Sequence, residues 1–166
     1  MFSHIQKRGV QHLVHFTRIR NLPGILRYGL LSRPELASRG IDHAVNDLYR
    51  YDYLPAVCLS VSFPNYKMFY GLRMDHPEED WVVLRLKPEL IDQKRCAFSH
   101  ANAAKRELAN SPLEPRMTLE ALNGMFADHD GMPVRSTLNI PDHFPTNPQA
   151  EILVLDPIEP RYIVDV

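Results

Sequence analysis

Two short polar segments near opposite ends of the chain carry side chains that could do chemistry. Near the N-terminus the sequence reads His15-Phe16-Thr17, and near the C-terminus Gln149-Ala150-Glu151 leads into the apolar run Ile152-Leu153-Val154-Leu155. A carboxylate at the start of such a run would lie beside the core. There it can stabilise a developing positive charge or accept a proton more effectively than in water. The two segments therefore predict a binding site with a glutamate at its centre.

Several other common kinds of site are not supported by the sequence. The chain has no Gly-x-Gly-x-x-Gly, no Walker-type loop and no Gly-x-Ser-x-Gly. His12 and His15 are three residues apart, and on a strand they would face opposite sides. The two cysteines have no spacing typical of metal ligands, so we expect no metal.

The composition is that of an ordinary globular protein. The chain has 166 residues, of which 45% are hydrophobic and 23% are charged, which suits one domain over residues 1–166. The net charge of -1 does not indicate a generally basic surface, although a local basic groove is compatible with it. Cys58 and Cys96 are expected to be free thiols. No apolar run reaches the roughly 20 residues that span a bilayer, and residues 1–9 have no apolar signal-peptide core. We therefore expect a cytoplasmic protein that does not contact membranes.

The elements that would position the two polar segments can be predicted from local patterns. Residues 12–17 read as a short strand, followed by a helix with Asn21 or Thr17 as its cap, Pro23 in its first turn and Gly29 at its end. Residues 31–53 are rich in charge and predict a long loop with helical pieces over 34–39 and 42–49. A second polar segment, residues 130–148, precedes Glu151.

The rest of the chain mixes short strands and short helices without regular β-α-β alternation. This pattern favours an α+β fold over a doubly wound sheet. In the helix over 65–72 we expect Tyr66, Phe69 and Tyr70 to pack inward. The further predicted strands are residues 54–62, 81–86, 95–98, 151–155 and 161–166, and the further predicted helices are 101–109 and 118–126.

Three ordered motifs resemble those of DarT-type ADP-ribosyltransferase toxins. The first runs from His15-Phe16-Thr17 through Asn21-Leu22-Pro23-Gly24-Ile25-Leu26 to Gly29-Leu30. The second is Asp52-Tyr53-Leu54-Pro55 with Ser62-Phe63-Pro64 and Tyr66, and the third is Gln149-Ala150-Glu151-Ile152-Leu153-Val154. The resemblance covers almost the whole chain. It implies a split, mostly antiparallel β-core with short flanking helices, as in ADP-ribosyltransferases.

The resemblance also implies roles for individual residues. Glu151 would be the catalytic glutamate, and the loop over residues 34–49 would supply an essential arginine. We choose Arg39 for this role, with Arg33 and Arg50 as alternatives, and residues 130–148 would select the acceptor. The residues expected to bind NAD are His15, Phe16, Thr17, Gly24, Ser32, Arg39 and Tyr66.

The implied reaction is transfer of ADP-ribose from NAD, the co-substrate, to thymidine or guanosine of single-stranded DNA, with release of nicotinamide. The implied biological role is that of a toxin held in check by a macrodomain-type antitoxin, and we expect a monomer. RNA or protein remains open as the acceptor, as does a non-catalytic nucleotide-binding module of the same fold. For individual residues, Glu151 can also be read as a solvated residue at a strand start, and Tyr66 and Tyr70 as core residues.

Overall fold

The computed structural model describes residues 1–45, 55–104 and 111–166. The strands are β1 (Leu13–Arg18), β2 (Val57–Val61), β3 (Trp81–Leu86), β4 (Cys96–Ser99), β5 (Glu151–Val154) and β6 (Ile163–Asp165). The helices are α1 (Phe2–Lys7), α2 (Leu22–Tyr28), α3 (Arg33–Ser38), α4 (Tyr66–Asp75), α5 (Leu90–Gln93), α6 (Leu119–Gly124) and α7 (Arg135–Leu138). Short 3-10 turns cover Ile19–Asn21, Glu114–Arg116 and Pro160–Tyr162.

The strands form one six-stranded sheet in the order β4-β5-β2-β1-β3-β6, and neighbouring strands are antiparallel. Strand β1 pairs with β3 from Leu13 to Arg18, but its register with β2 covers only Leu13 opposite Val61 and Val14 opposite Ser60. Strands β1 and β2 therefore meet at one end and separate beyond it. The expected α+β class with a split antiparallel core is confirmed.

The two faces of the sheet pack differently. Leu59, Val61, Ile152 and Val154 belong to the main hydrophobic core, which also takes in residues of α1, α5 and α6. Leu153 instead packs in a small cluster on the opposite face, together with Ala97, Ala103 and the partly buried Cys58. Since successive side chains on a strand alternate between faces, Glu151 shares the face of Leu153. This places the glutamate outside the main core.

Helix α2 has the boundaries that the sequence predicts at its C-terminus. Pro23 lies in its first turn, and Gly29 ends it with φ 84°, a conformation that favours glycine. Leu30 and Ile158 then donate backbone N–H groups to each other's carbonyls at 2.9 and 3.0 Å. A Cβ at Gly29 would lie 2.1 Å from the Ile158 carbonyl oxygen, so glycine also allows this close approach.

The inward packing expected for the aromatic residues of α4 is wrong for two of them. Tyr66 is 53% exposed and Tyr70 is 61% exposed. Phe69 packs inward, with its ring stacked on Phe16 at a centroid distance of 4.6 Å, whereas the Tyr66 ring contacts Phe63 with centroids 6.3 Å apart. Tyr66 and Tyr70 are four residues apart and so share one side of the helix, and Phe69 is rotated by about 60° from Tyr66 and by about 100° from Tyr70. Helix α4 turns the Phe69 side toward β1.

Other expectations have mixed outcomes. Thr118 caps α6 as predicted, by accepting a hydrogen bond from the Ala121 N–H at 3.2 Å. Neither Thr17 nor Asn21 caps α2 with its side chain. The segment 41–45 is not helical, and residues 46–54 and 105–110 lie outside the described residues, so the predicted helices over 42–49 and 101–109 are covered only in part. The polar segment before Glu151 contains a short helix, α7.

Candidate active site

A cleft opens where β1 and β2 separate. Its walls are formed by β1, β2, α2, the start of α3 and the segment 41–45, and Glu151 lies at its edge. Beyond the short β1–β2 ladder, His15 spans the gap with its side chain, because its Nδ1–H donates to the Cys58 carbonyl at 2.9 Å. The hydrogen bond fixes the imidazole against the opposite wall of the cleft.

The environment of His15 keeps its ring neutral. Burial lowers the pKa of His15 from its usual value, and the hydrogen bond to the Cys58 carbonyl opposes this only in part. With Nδ1 protonated, the neutral ring has Nε2 as a hydrogen-bond acceptor. His15 can therefore accept a hydrogen bond from a ligand hydroxyl or amide.

This pKa shift predicts an acid-sensitive contribution to stability. Because the folded-state pKa of His15 is depressed, the unfolded chain binds more protons below about pH 6.5, and stability falls as the pH falls through that range. The His15→Asn variant keeps a donor near the Cys58 carbonyl but cannot titrate. We expect it to lose less melting temperature than the wild-type protein between about pH 7 and pH 5. Equal losses in the two proteins would contradict the assignment of a depressed pKa to His15.

Thr17 and Asn21 hold one rim of the cleft. The Asn21 Nδ2–H₂ group donates to Thr17 Oγ1 and to the Ala44 carbonyl, both at 2.9 Å, and Asn21 Oδ1 accepts from the Ala44 N–H at 2.7 Å. The two bonds to Ala44 fasten the segment 41–45 to the start of α2, and the bond to Thr17 ties Asn21 to β1. Asn21 was expected to act only as a helix cap, and its cross-link to a residue 23 positions away was missed. The sequence carries no signal for that contact.

Glu151 is the first residue of β5 and is 7% exposed. Its Oε2 accepts a hydrogen bond from the Ala103 N–H at 2.8 Å, and its residue faces Ser99 across the β4–β5 register. Asn102 helps to shape the loop that presents this N–H, because its Oδ1 accepts from the Ala104 N–H at 2.9 Å. The glutamate is thus a held, nearly buried carboxylate at the edge of the cleft.

A buried arginine lies behind this carboxylate. Arg116 is 7% exposed, and its Nη2 donates to Ser99 Oγ. Burial lowers the pKa of Arg116, and the negative charge of Glu151 is the largest influence that opposes this. Arg116 does not line the cleft. The sequence analysis missed Arg116. It directly follows a stretch that contains Pro112 and Pro115, where no periodic pattern indicates burial.

The predicted arginine positions separate in the structure. Arg33, at the start of α3, lines the cleft together with Arg20. Arg39 lies at the C-terminal end of α3, is exposed and does not line the cleft. Arg50 lies outside the described residues. Among the described candidates, Arg33 is therefore better placed than Arg39 to contact a ligand in the cleft.

Of three other predicted NAD-binding residues, Ser32 and Phe16 serve the fold at least in part, and Tyr66 lies away from the cleft. Ser32 is buried and closes a capping box with Glu35, donating to its Oε2 from Oγ at 2.9 Å and from N at 3.1 Å. The Phe16 ring packs with Phe69 and Trp81, although Phe16 borders the cleft. Tyr66 is exposed and does not line the cleft.

The remaining predicted residues come together. His15, Thr17, Gly24 and Glu151 all line the same cleft. A Cβ at Gly24 would meet no atom within 4 Å, so the backbone there is open to a ligand. Among residues 1–45, 55–104 and 111–166, there is no cluster of three or more His, Cys, Asp or Glu side chains that could hold a metal ion. Over the same residues, no helix has the length and apolarity needed to cross a membrane.

A protein-family model described as "ssDNA thymidine ADP-ribosyltransferase, DarT" matches residues 14–166. The chain belongs to the DarT family. The match runs from the first cleft strand through Glu151, and it confirms the family that the three sequence motifs indicate. DarT proteins are ADP-ribosyltransferases, a class that uses NAD as co-substrate.

The DarT fold is also seen in a solved structure, that of Thermosipho africanus DarTG in complex with ADP-ribose. It matches with a TM-score of 0.60 and 21% sequence identity over 92% of this chain. The chain covers 42% of the length of that relative, less than half of it. At this identity the likeness supports the fold, whereas the roles of individual DarT cleft residues remain predictions. No curated protein matches the chain significantly.

Proposed function

We propose that residues 1–166 form a single catalytic domain that transfers ADP-ribose from NAD to thymidine in single-stranded DNA and releases nicotinamide. The observation that carries the proposal is the position of Glu151, a nearly buried carboxylate that lines the same cleft as His15 and Thr17. Membership in the DarT family supports the acceptor, and the ADP-ribose bound to the structurally similar DarTG supports the donor.

The proposed reaction breaks the bond between nicotinamide and the ribose C1′. The bonding electron pair leaves with neutral nicotinamide, and positive charge builds on the ribose. A fixed carboxylate in a site with little water stabilises that charge far more than it would in solution. The acceptor base then forms the new bond to C1′ and gives up a proton. We assign charge stabilisation to Glu151, which is also a candidate to accept that proton.

The two arginines that line the cleft suit the pyrophosphate of NAD. A guanidinium matches phosphate oxygens with two parallel hydrogen bonds. Arg33 is the first residue of α3, whereas Arg20 lies in the 3-10 turn before α2 and its Nη2 donates to Glu79 Oε1 at 3.1 Å. We therefore move the phosphate-binding role from Arg39 to Arg33, with Arg50 retained as an alternative from the loop. The Arg33→Ala variant should then raise the KM for NAD more than Arg39→Ala does.

The acceptor is tested by giving the enzyme NAD together with matched substrates. Single-stranded oligonucleotides with one thymidine, with one guanosine or with neither are incubated in parallel with RNA and protein pools, and products are identified by mass spectrometry. Attachment of ADP-ribose only to the thymidine oligonucleotide supports the proposal. Modification of guanosine, RNA or protein instead would replace the acceptor, and absence of any NAD cleavage would favour a nucleotide-binding module.

Exposed aromatic residues on α4 predict where part of the DNA binds. Tyr66 and Tyr70 share one side of the helix, and Lys67 and Arg73 of the same helix are exposed cations. Stacking of a base on an aromatic ring contributes about 1–3 kcal/mol. We expect Tyr70→Ala to weaken oligonucleotide binding about fivefold or more, measured by fluorescence anisotropy, with unchanged NAD binding.

The matched control for this prediction is Val164→Ala. Val164 is 61% exposed, as Tyr70 is, but lies on the edge strand β6. It should leave oligonucleotide binding unchanged. If Tyr70→Ala weakens oligonucleotide binding no more than Val164→Ala does, the exposed side of α4 at Tyr70 does not bind DNA.

We further propose that the protein is the toxin of a toxin–antitoxin pair whose antitoxin is a macrodomain-type hydrolase. The name of the structural relative, DarTG, supports a paired system. Expression of the wild-type chain should arrest bacterial growth, whereas a Glu151→Gln chain should not. Co-expression of a macrodomain hydrolase that removes the DNA modification should restore growth, and unimpaired growth with the wild-type chain alone would contradict the toxin role.

A further inference from the structure

The buried charge behind Glu151 has a role that the proposed reaction does not yet use. Arg116 lies in the 3-10 turn Glu114–Arg116 and is held by a hydrogen bond from its Nη2 to Ser99 Oγ. Ser99 is the residue of β4 that faces Glu151 in the β4–β5 register. The arginine thus reaches the carboxylate through the neighbouring strand, on the side away from the main core.

Both charges are taken almost completely out of water. Glu151 and Arg116 are each 7% exposed. A buried carboxylate without a compensating charge tends to take up a proton, and a buried guanidinium without one is equally unfavourable. The opposite charge of Glu151 is the strongest influence that resists the lowering of the Arg116 pKa by burial. The two groups therefore compensate each other.

The surroundings of Glu151 divide into two functions. On one side, Glu151 lies among side chains that line the cleft, such as His15 and Thr17. Away from the cleft, Oε2 is fixed by the Ala103 N–H at 2.8 Å, and Arg116 lies nearby without lining the cleft. Neither Ala103 nor Arg116 lines the cleft.

We infer that Arg116 is a positioning residue, which keeps the Glu151 carboxylate ionised and oriented for the reaction without touching the substrate. The inference rests on the proposed function, in which the carboxylate must be an anion to stabilise charge on the ribose. A cation that is fixed by Ser99 rather than by the ligand is present before NAD binds. The site is then electrostatically prepared in the free protein, which is the condition under which such stabilisation is most effective.

The test compares Arg116→Met with Arg116→Lys, which keeps the positive charge. An opposite charge close to a carboxylate favours its ionised form by about 1–3 pH units. In Arg116→Met the acidic limb of the kcat profile should therefore move upward by about one unit or more, which lowers kcat about tenfold or more at a pH below the midpoints of both proteins. The KM for NAD should change less than about twofold, and Arg116→Lys should move the limb back toward the wild-type position.

The control is Arg95→Met. Arg95 precedes β4 at the end away from Ser99, its side chain is 67% exposed, and it pairs with Asp156. It should leave kcat and its pH profile unchanged. If Arg116→Met does not fold, Ser99→Ala serves instead, because it removes only the hydroxyl that Arg116 contacts, and it should move the limb in the same direction by a smaller amount.

A measurement without turnover separates this inference from the proposed function. The ¹³C carboxyl resonance of Glu151, assigned by its loss in Glu151→Gln, is titrated in the wild-type protein and in the Arg116 variants. The carboxyl should titrate at higher pH in Arg116→Met than in the wild type. An unchanged titration and an unchanged pH profile in a folded variant would overturn the inference. Absence of NAD cleavage by the wild type would refute the proposed function, and the carboxyl titration would then decide the Arg116 link alone.

Discussion

Replacing Glu151 with glutamine should abolish ADP-ribose transfer while leaving the protein folded. Glutamine has nearly the same shape, and its amide oxygen can still accept the hydrogen bond from the Ala103 N–H that Glu151 Oε2 accepts at 2.8 Å. The negative charge is lost, and one acceptor oxygen is replaced by an NH₂ donor. Removal of one preorganised electrostatic contact typically lowers kcat by about 10²–10³-fold, so we expect at least about a hundredfold loss in nicotinamide release and in DNA labelling.

The control for Glu151→Gln is the same substitution at a glutamate that lies away from the cleft. Glu120 is exposed in the first turn of α6, and Glu120→Gln should retain full activity. The NAD dissociation constant of Glu151→Gln should stay close to that of the wild type, because the cleft wall is unchanged. Its melting temperature should fall, because the buried Arg116 loses its compensating charge, so activity is compared at a temperature where both proteins are folded. Wild-type rates in Glu151→Gln would remove the glutamate from the mechanism and with it the main support for the proposed reaction.

The Gly29→Ala variant should be strongly destabilised. The new Cβ would lie 2.1 Å from the Ile158 carbonyl oxygen, and Gly29 has φ 84°, which is strained for alanine. Relief requires separation of Leu30 from Ile158, which breaks their two mutual backbone hydrogen bonds. The strain and the lost bonds together cost about 3 kcal/mol or more. For a chain of this size the melting temperature should fall by roughly 6–12 °C.

Gly71→Ala is the matched substitution for this measurement. Gly71 lies within α4, where an added Cβ would meet no atom within 4 Å. Alanine is the better helix former by about 1 kcal/mol, so this variant should melt at the wild-type temperature or above it. If Gly29→Ala has the same melting temperature as Gly71→Ala, the close contact between Gly29 and Ile158 does not exist in solution.

Local patterns were sufficient where neighbouring residues decide the structure. Alternation of apolar residues predicts the strand that contains Thr17, and an apolar run predicts the strand that begins at Glu151. The conformational freedom of glycine predicts that α2 ends at Gly29. The orientation of α4 could not be found in this way. A spacing of four residues predicts that Tyr66 and Tyr70 share a side, but it does not tell which side packs against the sheet.

The charged residues of the site were harder to predict for a similar reason. A helix turns by about 100° per residue, so the side of α3 that faces the cleft depends on its docking and not on its composition. Arg33, the first residue of α3, lines the cleft, whereas Arg39, which directly follows α3, does not. Arg116 contacts Ser99, 17 residues away along the chain, and no local pattern predicts that contact.

The early separation of β1 and β2 has a consequence for how the protein can change during evolution. Where two strands part, peptide groups on the facing edges no longer complete a ladder, and they become available to whatever enters between them. The cleft lies in that opening, next to a ladder of only two residue pairs. We expect a ligand there to contact the main chain as well as side chains. Recognition of this kind is set by the path of the backbone, so it can survive extensive replacement of side chains as long as the opening keeps its width.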